Sequence, residues 1–291
     1  MTNISRPLAL KPDRPLDPIT LAVINAIQQA ATKLKRPVFI VGAIARIILL
    51  EHIHGLSAGR ATTDVDFAFA LDHWAQFDAI KALLLEHPGF HASEHVVHRL
   101  HYRPPGQEPS YKVDLIPFGG IEVSANTITW PPDMEIMMNV AGFSDAFSAA
   151  VNVQISPGTA IAVASLPGIA ILKLFAWADR RHDNAKDAID LNTLLRSYHD
   201  AGNHHRIYED ERALTALEAV EYDPELAGAW LIGNDVATMA STATLTDLEP
   251  LLNGQLRDRL VEDMSRAMKG RADALKYASR LLEQFTTGLT A

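Results

Sequence analysis

Cysteine is absent from the 291 residues. No disulfide, thiolate metal site or cysteine nucleophile can therefore be built, which fits a reducing compartment, and the expected location is cytoplasmic. Long apolar runs are missing as well. No stretch reaches the roughly 18 apolar residues that a membrane helix needs, and no signal-like run follows the charges of "MTNISRPLALKPDRPLDP". Positive charge is scarce: 26 Lys and Arg stand against 35 Asp and Glu, a formal net charge of −9. That balance argues against extensive nonspecific nucleic-acid binding, though not against a local basic cleft. The chain also lacks a G-x-S-x-G serine elbow, a G-x-x-x-x-G-K-[ST] phosphate loop and a G-x-G-x-x-G dinucleotide turn. Repeats and low-complexity tracts are not found.

What is present is an alternation of strand and helix signals that gives way to helix alone. Residues 1–16, rich in proline and charge, read as an arm. Asp17 and Pro18 suit the cap and first turn of a helix whose apolar stripe is Leu21, Val23, Ile24, Ile27 and Ala31. A short apolar strand, Val38 to Val41, ends at Gly42, and the helix that follows stops at Gly55. "RATTDVDFAFAL" reads as a strand, and the next helix runs from about Asp72 to His87, closed by Pro88-Gly89. "SEHVVHRLHYRPPGQEPSYKVDLIPFG" reads as two strands around a proline- and glycine-rich loop. Short strands and turns, with a helix near 143–150, fill 120–165. The expected fold class is α/β (α+β). A small, mixed, twisted sheet with flanking helices would occupy residues 1–160, and a helical domain in 161–291 would close a cleft against it.

The D-x-D strand poses a physical problem. Side chains alternate along a strand, so Val65, Phe67, Phe69 and Leu71 share one face, and Asp64 and Asp66 share the other. Two like charges on one face repel, and burying either is costly. A cation must sit between them, either cationic side chains or a divalent metal. Lys112, Asp114 and Ile116 share a face of a later strand, which adds a third carboxylate. Carboxylates converging from neighbouring strands suit metal-assisted phosphoryl transfer. There the ions bridge a triphosphate and stabilise the leaving pyrophosphate. In that reading Asp64 and Asp66 hold two metals, and Asp114 holds one of them and accepts the proton of the attacking hydroxyl. Gly42 lets the backbone approach phosphate, and the following helix start offers N–H donors. Asp114 has a second reading: an ordinary sheet pair with Arg99 or Arg103.

On these residues the sequence resembles the DNA polymerase β-type nucleotidyltransferase superfamily. The elements that carry the likeness are "FIVGAIAR", "TTDVDFAF" and "YKVDLIPF". Within it the chain is most similar to the abortive-infection, type IV toxin-like nucleotidyltransferases, through the R-x-T-x-D-h-D run at Arg60, Thr62, Asp64 and Asp66 and the helix "LKLFAWADRRHDNAKDAIDL". It departs from the pattern in having Ala43 where Gly or Ser is usual, and in a longer gap between Gly42 and Asp64. The resemblance implies catalytic and metal-binding roles for Asp64, Asp66 and Asp114, with Mg²⁺ or Mn²⁺ as cofactor. It implies nucleotide contacts at Gly42, Ala43, Arg46, Thr63, Lys173 and Arg181.

Lys173, Trp177, Arg180 and Arg181 share a helix face at i, i+4, i+7 and i+8. That face could hold triphosphate or balance the acids, and the resemblance assigns such a role to Lys173 and to Lys186-Asp187. A solvated face is the alternative for Lys186, Asp187 and Asp190. The histidines at 87, 91, 95, 98 and 101 match no zinc spacing and read as structural or surface groups. The function expected is transfer of a nucleoside monophosphate from an NTP to a hydroxyl of tRNA, a protein or a small molecule. The enzyme would be the toxin of a toxin–antitoxin pair, with an antitoxin as partner and no membrane. The rival reading is a catalytically silent module of the same fold.

Overall fold

Asp17 opens the first helix by chemistry visible in the sequence: its carboxylate accepts from the backbone N–H groups of Ile19 and Thr20 at 3.1 and 2.9 Å. Pro18 is the first residue of α1 (Pro18–Leu34), and Lys35 ends it in a left-handed conformation. The computed structural model describes residues 7–104 and 110–291. The first part of the expected N-terminal arm and the middle of the proline-rich loop lie outside these.

The chain divides into two compact units, 1–48 with 60–164, and 49–59 with 165–291. Among its described residues the first unit carries ten strands: β1 (Leu8–Ala9), β2 (Val38–Val41), β3 (Asp64–Ala70), β4 (Phe90–Ala92), β5 (Arg99–Tyr102), β6 (Tyr111–Phe118), β7 (Thr127–Trp130), β8 (Ile136–Asn139), β9 (Val151–Ser156) and β10 (Thr159–Val163). Its helices after α1 are α2 (Gly42–Ile47), α3 (Trp74–Leu85) and α4 (Phe143–Ser148). Eight strands form one mixed sheet in the order β1-β9-β10-β2-β3-β6-β5-β4, and β7 and β8 pair separately. β3 runs parallel to β6 and antiparallel to β2, while β5 is antiparallel to β6.

The two faces of β3 differ as alternation requires. Val65, Phe67 and Phe69 are fully buried together with Leu100, Val113 and Leu115 of the neighbouring strands. The opposite face is acidic at one end, and at the other it is apolar. There Phe39 and Phe118 pack on each other at 5.7 Å and on Phe147 of α4 at 5.3 and 5.7 Å. α3 spans 74–85, shorter at both ends than the sequence pattern suggests. The helix after Gly42 also differs from expectation. It is α-helical only to Ile47 and continues as a π-helix from Ile48 to Ile53, the stretch in which the chain passes into the second unit.

The second unit is helical, with α5 (Leu166–Arg180), α6 (Lys186–Ser197), α7 (Arg206–Glu209), α8 (Glu211–Ala219), α9 (Pro224–Met239), α10 (Thr242–Leu248), α11 (Gly254–Ser265) and α12 (Ala274–Leu289). α9 and α12 pack backbone to backbone. A Cβ on Gly233 would overlap the Phe285 carbonyl, and one on Gly288 would overlap that of Trp230. Buried Trp177 donates its indole N–H to Asp263 at 3.1 Å, tying α5 to α11. Arg196–Glu225 and Arg206–Asp235 are two-pronged ion pairs at 2.7–2.8 Å that fix α6 and α7 to α9. Among the described residues no helix is long and apolar enough to cross a membrane.

Candidate active site

Strand register brings the acids together. Asp66 lies opposite Asp114 across the parallel β3/β6 pair, so their Cα atoms are about 4.8 Å apart, the ordinary strand spacing. Val41 lies opposite Asp66 on the other side, and Arg99 lies opposite Asp114. One row across four strands therefore reads Val41, Asp66, Asp114, Arg99. A second row, one step along, pairs Asp64 with Lys112 and Lys112 with His101.

Gly42 closes the first row. It sits at the β2–α2 junction with φ +71°, and a Cβ there would overlap the Asp66 carboxylate. No other residue combines that backbone conformation with that clearance. Gly42→Ala is expected to cost about 1–3 kcal/mol in thermal or chemical denaturation, from the left-handed backbone and the forced shift of Asp66. Unchanged stability would mean that the carboxylate is not packed on the glycine.

The question of what lies between the carboxylates has a direct answer. Arg99 grips Asp114 in a two-pronged pair, Nε to Oδ1 and Nη2 to Oδ2, both at 2.7 Å. The hydrogen-bonded Asp114 carboxylate raises the Arg99 pKa, partial burial opposes the shift, and the charges of Asp114, Asp64 and Asp66 add to it. Arg99 is thus within electrostatic reach of all three acids. Lys112 Nζ stands 4.0 Å from Asp64 Oδ1, with both side chains nearly half exposed. A pair so exposed contributes little. Thr62 Oγ1 accepts from the Asp64 N–H at 3.0 Å and anchors the start of β3. Of the two alternatives for Asp114's partner, Arg99 is in register. The sequence offers Arg99 as one of these two partners; Lys112 was not singled out as a cation of the centre, although it shares a strand face with Asp114 at i and i+2.

Hard carboxylate oxygens on Asp64 and Asp66, on one face and beside a backbone without a side chain, suit Mg²⁺ or Mn²⁺. Asp114 fits less well as placed, because both its oxygens already accept from Arg99. Among the described residues no group of three or more His, Asp or Glu side chains is arranged to hold a metal ion.

The remaining expected contacts are placed as follows. Ala43 is buried at the start of α2, and Thr63 is exposed beside Asp64. Arg46 is fully buried and donates from Nη2 to the Arg60 carbonyl at 3.2 Å. Lys173 belongs to the second unit, where its ammonium lies 2.9 Å from Asp187 and 2.7 Å from Asp190, with all three side chains buried. Arg180, which is exposed, reaches the other oxygen of Asp187 at 2.8 Å. Arg181 lies just past the end of α5 and folds back onto the Ala178 carbonyl. Lys186, Asp187 and Asp190 are thus not one solvated face: Lys186 is exposed, while Asp187 and Asp190 point inward.

A mixed sheet with flanking helices, a glycine turn and carboxylates on adjacent strands defines a fold of the nucleotidyltransferase class. Residues 48–288 match the model of the family described as "Nucleotidyl transferase AbiEii toxin, Type IV TA system", and the chain belongs to that family. The match begins after Gly42, so the glycine turn stands on its geometry alone. A search of curated proteins finds no match. Among solved structures, an antigenic nucleotidyltransferase-like protein from Paracoccidioides brasiliensis is 16% identical, over 70% of this chain and 94% of its own, with a TM-score of 0.42. The antibiotic-resistance factor ANT(2'')-Ia is 15% identical over 71% and 100%, with a TM-score of 0.38. The Thermotoga maritima CCA-adding enzyme is 12% identical over 94% and 82%, with a TM-score of 0.25.

Proposed function

We propose that this chain transfers a nucleoside monophosphate from an NTP to a hydroxyl acceptor, releasing pyrophosphate, and acts as the toxin of a toxin–antitoxin pair. The observation that carries the reading is the row Gly42, Asp66, Asp114, with Asp64 one step along the same face. Carboxylates gathered at this density, with Asp64 half exposed and only loosely paired to Lys112, support a ligand that brings further positive charge. A bound divalent ion supplies charge neutralisation to the triphosphate and to the leaving pyrophosphate. Asp64 and Asp66 are the side chains that would hold it. Gly42, with no side chain, lets the Asp66 carboxylate pack against its backbone. Arg99 fixes the orientation of Asp114 beside Asp66. The reading rests on these residues of the first unit alone.

The test is incubation of the purified protein with each NTP labelled at the α-phosphate, Mg²⁺, and total RNA or cell lysate. Label should pass to an acceptor, with pyrophosphate released. One observation favours a silent module instead: the Arg99 guanidinium already occupies both oxygens of the third acid. That reading prevails if no nucleotide labels any acceptor and no NTP with Mg²⁺ raises the melting temperature.

A further inference from the structure

β7 and β8 form a two-stranded sheet apart from the main one, and the fold treats the two strands differently. Ile128 and Trp130 of β7 are buried, with Trp130 packed on Trp74 and Phe77. Among the described residues β8 pairs only with β7, so its other side is an edge. On β8, Ile136 is 62% exposed and Met137 72%. Natural edge strands are commonly blunted by lysine, proline or a bulge, because their outward N–H and C=O groups invite another strand. Ile136–Asn139 contains neither lysine nor proline and pairs with β7 residue for residue.

The ladder fixes which groups face outward. Val140 donates to the Asn126 carbonyl at 2.8 Å, in the register that also pairs Met138 with Ile128 and Ile136 with Trp130. Hydrogen-bonded and non-hydrogen-bonded pairs alternate along an antiparallel ladder, so Met137 turns its N–H and C=O to the outer edge. Ile136 shares the face of buried Trp130, and Glu135 and Met137 share the opposite face. A strand laid on this edge would bury apolar side chains beside Ile136 on one face and meet exposed Glu135, with exposed Asp133 just before it, on the other. Charge selects the occupant. No Lys, Arg or His occurs from Val113 to Leu172, while the same stretch holds Asp114, Glu122, Asp133, Glu135 and Asp145. A second copy of the hairpin brings no cation and adds its own acids. A segment with basic residues meets Glu135 and Asp133 favourably.

We propose that the outer edge of β8 docks an extended segment of another polypeptide, added as a third strand, in which apolar residues alternate with Lys or Arg. The apolar residues cover Ile136 on the side of Trp130, and the cations lie beside Glu135 on the other face. Main-chain pairing at Met137 supplies affinity, and the alternation supplies specificity. This edge is independent of the acids on β3 and β6, so failure of either reading leaves the other standing.

The probe is a fluorescent, end-blocked heptapeptide of alternating valine and lysine, titrated into the full chain and followed by anisotropy beside its valine–glutamate counterpart. The valine–lysine peptide is expected to bind at least about tenfold more tightly, since opposite charges facing each other across a strand pair attract and like charges repel. Asp133→Lys combined with Glu135→Lys is expected to reverse that preference. Met137→Pro removes the outward N–H and leaves the ladder to β7 intact, because proline is tolerated on the open side of an edge strand. It should weaken the valine–lysine peptide about tenfold with the melting temperature little changed. Nonspecific attraction to a chain of net charge −9 would survive these substitutions, so binding that either of them leaves unchanged overturns the proposal. A wild type that binds neither peptide, or both alike, overturns it too. If Met137→Pro does not fold, the charge exchange decides alone. Sedimentation equilibrium without peptide addresses the other occupant: a wild-type dimer that Ile136→Lys splits into monomers would give the edge to a second copy and overturn the proposal.

Discussion

Replacing Asp64 and Asp66 together by asparagine is expected to reduce nucleotidyl transfer by at least about 10³-fold, the scale on which removal of essential active-site groups acts, while the protein stays folded. The two effects separate because the carboxylates work against the fold. Their Cα atoms are two strand positions apart, about 6.6 Å, and the side chains share one face. At an effective dielectric of about 20, charges at that spacing repel by roughly 2–3 kcal/mol before any cation compensates. Asparagine keeps the shape and removes the repulsion. Arg99 retains Asp114, and Lys112 loses only an exposed contact at 4.0 Å. Relief of the repulsion offsets the contacts that the two carboxylates give up, so the melting temperature should change little as transfer is lost, as expected when charge is retained for function. Transfer persisting in the double variant would remove the acids from the reaction. A collapse in melting temperature would assign them a structural role.

The parts of this site that were legible in the sequence are those governed by local periodicity. Alternation in "DVDFAF" separates the acids from Val65, Phe67 and Phe69, and the structure buries those three completely while leaving the acids partly open. Asp17 and Pro18 announce α1 through cap chemistry that involves only the next few residues. What was not legible depends on register between distant segments. Arg99 and Arg103 both lay within reach of Asp114 on paper, and the ladder between β5 and β6 selects Arg99. The π-helical turns at 48–53 had no signal either, because the apolar run "ILLEHI" suits an α-helix equally well. Periodicity placed Lys173 on a shared helix face but did not reveal that it points inward. A sign was nonetheless present: it interrupts an otherwise apolar run, "AILKLF", and two acids three residues apart follow on the next helix.

Lys173 carries the second large expected effect, and the result separates a ligand contact from a structural one. Lys173 and Arg180 supply two positive charges, and Asp187 and Asp190 two negative ones, so the cluster is neutral as a whole. Arg180 is exposed and touches only one oxygen of Asp187, so Lys173 is the fully buried cation beside both acids. Lys173→Met preserves much of the side-chain volume and removes the ammonium. Breaking a buried ion pair from one side typically costs about 3–5 kcal/mol, because the opposite charge stays desolvated. For a chain of this size that corresponds to a fall of roughly 10 °C in melting temperature. If Lys173 served chiefly to hold triphosphate, the same substitution would leave the ligand-free protein as stable as before and weaken only nucleotide binding. The compensated variant sharpens the distinction. Lys173→Met combined with Asp190→Asn removes one buried negative charge along with the positive one and leaves Asp187 with Arg180. Thermal denaturation should then recover a substantial part of the loss, since the two sites are in direct contact and their effects are not additive. A pair of variants that simply sum, or a single variant with unchanged melting temperature, would show that the ammonium is not what makes two buried carboxylates tolerable between α5 and α6.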